Sequence, residues 1–572
     1  MSTAPTLSPA TSPTLSPATA YRAEAVARAE RALTASTDRY MHLAAHALAL
    51  AAVRELRGDA GRVAGCDVLL LVGGGHNGGD ALLAGALLAR RGCAVTAALA
   101  TDHPHTGALQ EARRAGVRPA REPVAACERA AAGGVALVVD GLTGIGASGP
   151  LRSRAAALVA PLAAAGRRGG RPFRVMAVDL PSGTGVDDGT VPGPVLAADV
   201  SVTFTCLKGA HVLPPAASAC GRVEVADLGL PVPEDAAALA SRPADPGLGR
   251  LLRVPGDADH KYTRGVVGLW AGSRAYPGAA VLAASAAVRC GAGMVRLSAP
   301  HRVEELVLAR RPEVVPAPGR CQALVIGPGT DPADVVRGAE LDAVLVRALD
   351  DGDGPAPPAE PAVRRPLPAV IDAGALLLLG ERLRGGARCT SAHVLTPHAG
   401  EAAALLTALG RPTGRAEVEA APAAYALDLA RLTGATVLLK GAPTLIAAPP
   451  APAEPSAPAE LSAPAGPAAS AASAAPCLLS VDAGPGWLAT AGSGDVLAGA
   501  LGAVLAAAQS DAERGGPAVA VPQCAALAVR LHAVAAELAS GSRDLPPGRP
   551  LAALDLTDHL PHAHAVVRGW AS

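Results

Sequence analysis

The sequence predicts an α/β protein built on two largely parallel sheets, each covered by helices on both faces. Short apolar runs alternate with Ala/Leu-rich stretches of helical spacing, the pattern of parallel strands joined by crossover helices. The alternation breaks at PVPEDAAALASRPADPGLGR (231–250), which separates two series of runs.

Residues 1–20 repeat TLSPAT-like units, too rich in Pro, Ser and Thr to bury a core, so a disordered tail is expected. From about Tyr21 to Arg57 the apolar residues recur three and four apart, as on one helix face. The strands expected next are VLLLVGGG (68–75), AVTAALA (94–100), VALVVDG (135–141), VMAVDLPSG (175–183), VSVTFT (200–205) and RVEVADLG (222–229). Residues 236–250 read as a linker. The second series then brings VVGLWAGS (266–273), MVRLSAP (294–300), ALVIGPG (323–329), AVIDAGA (369–375), HVLTPHAGE (393–401) and TVLLKG (436–441). Pro/Ala-rich insertions near 352–366 and 448–476 read as mobile surface loops. The expected units are therefore 21–235 and 251–572.

Composition narrows the function. The 50 basic and 50 acidic residues cancel, which argues against nucleic acid or an anionic membrane as a partner held by charge. No apolar run approaches the roughly 18 residues of a membrane span. The ten cysteines contain no CxxC pair, so neither a zinc site nor a disulfide framework follows. No signal peptide is visible, and the expected compartment is the cytoplasm. The oligomeric state stays open, a homo-oligomer included. The chain has only three lysines, Lys208, Lys261 and Lys440, and one asparagine, Asn77, amid abundant Ala, Gly, Pro and Arg. In so biased a composition a retained Lys or Asn is a candidate for a chemical role.

In the first half, GGGHNGGD (73–80) joins an apolar strand to a helix, where glycines let backbone approach a phosphate or ribose and the helix start offers N–H groups. A plain strand-to-helix turn with Asp80 near the N-cap is the alternative. Two further strand ends carry carboxylates, DGLTGIGASGP (140–150) and DLPSGTGVDDG (179–189). Ligands of open parallel sheets bind beyond the strands' carboxyl ends, so Asn77, Asp140, Asp179 and Ser182 are expected to converge. Their hard oxygens suit Mg²⁺, Ca²⁺ or K⁺.

With VVDGLTGIG, VDLPSG and TFTCLKGAH in order, residues 20–235 resemble the NAD(P)H-hydrate epimerase domain, a Rossmann-like three-layer fold. The resemblance implies a potassium site at Asn77, Asp140 and Ser182. It also implies contacts to the hydrated dinucleotide from His76, Asn77, Gly78, Gly79 and Asp80, from Gly144, Ile145, Gly146, Ala147, Ser148, Gly149 and Pro150, and from Asp179. Two positions depart from the family's NNGGDG loop: His76 replaces its first Asn and Ala81 its last Gly. Lys208 lies in a KGLH-like segment, either a surface lysine after a strand or part of the site.

In the second half, AGSGD (491–495) precedes the helical VLAGALGAVLAAA. Backbone N–H groups there form an anion hole, and Asp495 is placed to take a proton from a substrate hydroxyl. A plain Asp N-cap is the alternative. KGAPT (440–444) offers Lys440 and Thr444 to a nucleotide, and GPGTD (327–331) is a backbone-approach turn or a simple one. His398 and Glu401 in LTPHAGE lack the further ligands of a zinc site, so His398 reads as a substrate contact and Glu401 as structural or cation-linked.

DHKYTRGVVGLWAGSRAYPGAA, LVIGPGTD, VIDAGAL, LTPHAGE, LLKGAPTLIA and WLATAGSGDVLAG, in order over about 250–540, resemble the ADP-dependent NAD(P)H-hydrate dehydratase, a ribokinase-like α/β family. The resemblance implies nucleotide contacts at Lys440, Gly441, Ala442, Pro443, Thr444 and Gly494. It implies hydrate contacts near Ala280, Gly329, His398 and Asp495, with Asp495 as base and ADP with Mg²⁺ as co-substrate. HKYTRG departs from the family's HKG opening, which leaves the role of Lys261 open. Together the halves imply nicotinamide nucleotide repair: the R and S hydrates are interconverted, and the S form is dehydrated at the expense of ADP, giving AMP and phosphate. The rival reading is a ribokinase-like kinase for a vitamin or sugar alcohol, fused to a non-catalytic scaffold.

Overall fold

The computed structural model describes residues 18–34, 38–166, 170–232, 237–331, 333–349, 367–450 and 478–570. Both expected insertions fall almost wholly outside these residues, as do residues 1–17 of the expected tail.

The first sheet has seven strands, in the spatial order Arg118–Pro119, Ala94–Leu99, Asp67–Val72, Leu137–Gly141, Arg174–Val178, Val200–Phe204 and Arg222–Ala226. Every neighbouring pair is parallel. Continuous apolar runs form these strands because both faces are covered. Leu70, Val139 and Met176 pack beneath helices Arg39–Ala60 and His76–Arg90, while Leu69, Leu71 and Val138 pack under Pro123–Arg129 and Ser153–Gly166. Strand Asp67–Val72 lies between two strands that both follow it in sequence, so the crossovers diverge there and leave a crevice at its carboxyl end.

The second sheet has eleven strands: Met294–Ser298, Val266–Trp270, Ala323–Ile326, Ala369–Ile371, His393–Leu395, Thr436–Leu439, Thr444–Ala447, Leu478–Val481, Ala238–Arg242, Ala18–Tyr21 and Leu207–Lys208. The first six run parallel, and the next two turn antiparallel. Val266–Trp270 is again flanked by two strands that follow it, which sets a second crevice at its end.

With only two phenylalanines in the chain, the core packs through Ala, Val and Leu, and helices approach closely. A Cβ on Gly499 would lie 2.1 Å from the carbonyl oxygen of Ala283, so helices Ser493–Glu513 and Pro277–Arg289 meet backbone to backbone. Any side chain there would push the helix carrying Asp495 away from helix Pro277–Arg289.

Three sequence expectations are corrected. Ala18–Ala20, placed in the tail, belong to a strand, because they pair antiparallel with residues 240–242. The linker at 236–250 contains that partner strand, Ala238–Arg242, and a short helix, Asp245–Gly249, started by Pro246. The pattern from Tyr21 to Arg57 is two helices, Ala23–Thr34 and Arg39–Ala60, after a strand that ends at Tyr21.

Candidate active sites at the two crevices

In the first crevice the expected residues come together. Helix His76–Arg90 begins at His76 behind Gly75, so residues 76–80 form its first turns and Asp80 is a buried helical residue, not the N-cap. Asn77 donates from Nδ2 to the carbonyls of Thr143 (3.0 Å) and Val178 (2.9 Å), which ties the ends of three strands and aims its Oδ1 inward. Asp140 is fully buried and accepts from the Ser182 backbone N–H (2.9 Å) and hydroxyl (2.7 Å). Burial raises its pKa, against these hydrogen bonds. The Thr143 hydroxyl beside them is buried without a protein partner. A Cβ on Gly144 would lie 2.6 Å from Asn77 Oδ1, so that approach requires glycine. The rest of the loop, through Ile145, Gly146, Ala147, Ser148, Gly149 and Pro150, runs half-exposed or exposed over the crevice. His76 is exposed at the helix start, and Ala81 is buried against Gly141.

Asp179 stands beside this cluster at φ +68°, a left-handed backbone that Asp tolerates better than most residues. It accepts from Lys208 Nζ at 2.8 Å and from the Thr203 hydroxyl at 2.7 Å. Burial, the largest influence, would raise its pKa, but the Lys208 ammonium, His211 and the hydrogen bonds from Lys208 and Thr203 together outweigh it, and the carboxyl sits below its ordinary value. Lys208 is thereby a buried site residue, not a surface lysine. His211 accepts the Lys208 backbone N–H at Nδ1 (2.9 Å), so its Nε2 carries the proton given to the Asp179 carbonyl (2.8 Å). Burial keeps that imidazole neutral, its pKa lowered to about 4. Asp80 has the opposite fate to Asp179. Burial, with Asp179 and Glu30 nearby, holds it well above the carboxylate range, and burial also raises Glu30. Glu30, Thr203 and His211 are contributors that the sequence reading missed.

In the second crevice Gly492, at φ +87°, caps helix Ser493–Glu513 and places Asp495 in its first turn. Burial and the neighbouring Asp372 raise the Asp495 pKa to about 7, although Lys440 opposes them. Lys440 Nζ lies 3.1 Å from Asp372 Oδ1 and 3.5 Å from Glu401 Oε2. A Cβ on Gly494 would lie 3.5 Å from Lys440 Nζ, which brings the helix start and the 440–444 turn together. Asp372 is buried, accepts from the Thr396 hydroxyl at 2.7 Å, and was not singled out from the sequence.

His398 is the N-cap of helix Ala399–Ala408. Its Nδ1 accepts from Gly400 and Glu401, and Glu401 Oε2 accepts the His398 backbone N–H at 2.9 Å. That reciprocal pair explains the HxxE spacing, and Nε2, on a side chain left largely exposed, lies 3.7 Å from Glu401 Oε1. Thr444 donates to the Gly441 carbonyl at 3.0 Å and closes the turn through Ala442 and Pro443. Gly329, at φ +64°, abuts Ala279 at the start of helix Pro277–Arg289. Ala280, near which a hydrate contact is expected, is fully buried behind it.

Known proteins resemble both halves. Residues 37–210 match the family model for the YjeF-related protein N-terminus, and residues 267–457 match that for NAD(P)H-hydrate dehydratase. The bifunctional NAD(P)H-hydrate repair enzyme Nnr of Mycobacterium leprae is 39% identical over 501 residues, which cover 86% of this chain and 90% of that protein. The NAD(P)H-hydrate epimerase of Microbacterium testaceum is 44% identical over 215 residues, 37% of this chain and 78% of that protein. A Bacillus subtilis ADP/ATP-dependent NAD(P)H-hydrate dehydratase, co-crystallised with ATP and Mg²⁺, is 25% identical at a TM-score of 0.40, covering 57% of this chain and 97% of that one. With two family models in order and a relative matched almost end to end, the chain belongs to the family of bifunctional NAD(P)H-hydrate repair enzymes.

Proposed function

We propose that this chain returns hydrated NADH or NADPH to its working form in two steps, one at each crevice. The observation that carries the reading is Asp495, held near neutrality at a glycine-rich helix start beside Lys440 and the 440–444 turn. That is a base and an anion hole next to Lys440, which itself lines a nucleotide-sized cavity, and the fused first unit favours repair over a free-standing small-molecule kinase.

At the second crevice the S hydrate's hydroxyl gives its proton to Asp495, and its oxygen attacks the terminal phosphorus of ADP, releasing AMP. The C–O bond then breaks with phosphate taking the electron pair, and loss of a proton from the adjacent carbon restores the double bond. Phosphorylation makes a good leaving group from hydroxide. The N–H groups of Gly492, Ser493 and Gly494 stabilise charge on the phosphoryl oxygens, and Lys440, Gly441, Ala442, Pro443 and Thr444 hold the nucleotide. His398 Nε2 and Gly329 face the hydrate. Among the described residues no cluster of three or more His, Cys, Asp or Glu side chains is set to hold a metal. This suits Mg²⁺ carried mainly by phosphates, where it supplies charge neutralisation.

At the first crevice, inversion requires the hydroxyl to leave as water and water to add to the other face. Asp80, whose proton affinity burial raises, supplies the proton, and Asp179, whose carboxylate form Lys208 favours, receives one. Residues 76–80 and 144–150 hold the hydrate. Asn77 Oδ1, the Asp140 carboxylate, Ser182 Oγ and the orphaned Thr143 Oγ1 form an all-oxygen set with a single negative charge, which fits K⁺. There K⁺ would supply fixed positive charge under the loop. The described cysteines are free and mostly buried, and no described helix is long and apolar enough to cross a membrane. Reduced thiols support a cytoplasmic site of action.

The test is recovery of dihydronicotinamide absorbance from a mixed-epimer NADH hydrate, with and without ADP and Mg²⁺. Complete ADP-dependent recovery is expected. No recovery from intact protein would overturn the reading and restore the kinase alternative.

A further inference from the structure

We propose that the first unit builds one wall of the second unit's nucleotide pocket, and that Ser218 positions the turn that binds ADP. The inference rests on the assignment of Lys440–Thr444 to the nucleotide. A cavity of about 830 Å³ lies beside that turn, within the usual size for a small-molecule site. Lys440, Gly441 and Ala442 line one side of it, and Pro214, Pro215 and Ser218 line another. Ser218 Oγ donates to the Ala442 carbonyl at 3.3 Å, across 224 residues of chain.

This wall is fastened to the sheet that carries the turn. Leu207–Lys208 pairs with Ala18–Tyr21, which pairs with Ala238–Arg242, which pairs with Leu478–Val481 beside Thr444–Ala447. Ser480 Oγ donates to the buried Val212 carbonyl at 2.5 Å, and Arg242 Nη2 to the His211 carbonyl at 3.2 Å. Residues 207–218 therefore keep a fixed place relative to Ala442. Helix Ala216–Ala219 presents Ser218 at the exposed rim, where its hydroxyl holds the turn without being part of either catalytic constellation.

The test uses the full chain, with calorimetric ADP affinity and the KM for ADP on purified S hydrate. S218A removes the bond and is expected to raise both about three- to tenfold, the equivalent of one hydrogen bond. S218T keeps the hydroxyl and should restore them, while S218E, which turns a carboxylate toward an anionic ligand, should raise them further. The epimerisation rate of the same samples reports folding, because Ser218 lies outside that site. T444V provides the reference for the nucleotide assignment. If T444V weakens ADP while S218A and S218E bind it like the parent, the proposed wall is overturned and the assignment stands. If T444V is also without effect, the nucleotide assignment fails and the inference with it.

Discussion

Lys208 Nζ and Asp179 Oδ1 form an ion pair at 2.8 Å in which the side chains are 1% and 4% exposed. Either charge left alone at that depth is costly, about 3–5 kcal/mol when one partner is removed. K208M is therefore expected to lower stability by that order, raise the Asp179 pKa and cut epimerisation at least about 100-fold. D179N tolerates the left-handed backbone, so the double variant D179N/K208M should recover stability but not epimerisation. Thermal melts beside an epimer-resolved assay check both halves of the claim.

The Asp495 pKa of about 7 sets a pH dependence. A base must be ionised, so kcat/KM for the purified S hydrate should rise through about pH 7 and then level off. D495N should lose at least about 100-fold and the profile with it. The folded state also holds this proton more tightly than the unfolded chain. The stability it contributes is present at low pH and is lost as pH rises through the folded-state value. D495N should therefore melt higher than the parent at about pH 8 and equally at about pH 4.

The potassium site gives a contrast between the two activities. Exchange of K⁺ for a bulky organic cation should suppress epimerisation and leave dehydration of purified S hydrate intact. G144A should raise the K⁺ concentration required, because Asn77, pinned by two hydrogen bonds, cannot swing away from a Cβ 2.6 Å from its Oδ1. Equal loss of both activities on cation exchange would contradict the assignment.

The twelve apolar runs read from the sequence are all strands, because parallel strands buried on both faces need no alternation and stand out from their Ala-rich helices. Ala18–Tyr21 and Ala238–Arg242 escaped because they are short and flanked by Ser, Arg or Pro, and pairing with each other and with segments distant in sequence makes them strands. Asn77, Asp140, Ser182 and Asp495 were legible because each sits at a strand or helix end beside glycines. Asp372 lay in a quoted strand end, but its role comes from Lys440, 68 residues further on. Glu30 had no local signal, since its approach to Asp80 and Asp179 depends on how its helix docks.

Two sites on one chain, each carrying one step, is the central claim, and a time course on mixed-epimer NADH hydrate with ADP and Mg²⁺ tests it most directly. The parent should recover all the dihydronicotinamide absorbance. D179N should stop at the fraction present as the S form and resume when D495N is added, since D495N retains the epimerase. D495N alone should recover almost nothing. Full recovery by D179N at the parent's rate, or failure of the two variants to complement, would contradict the account.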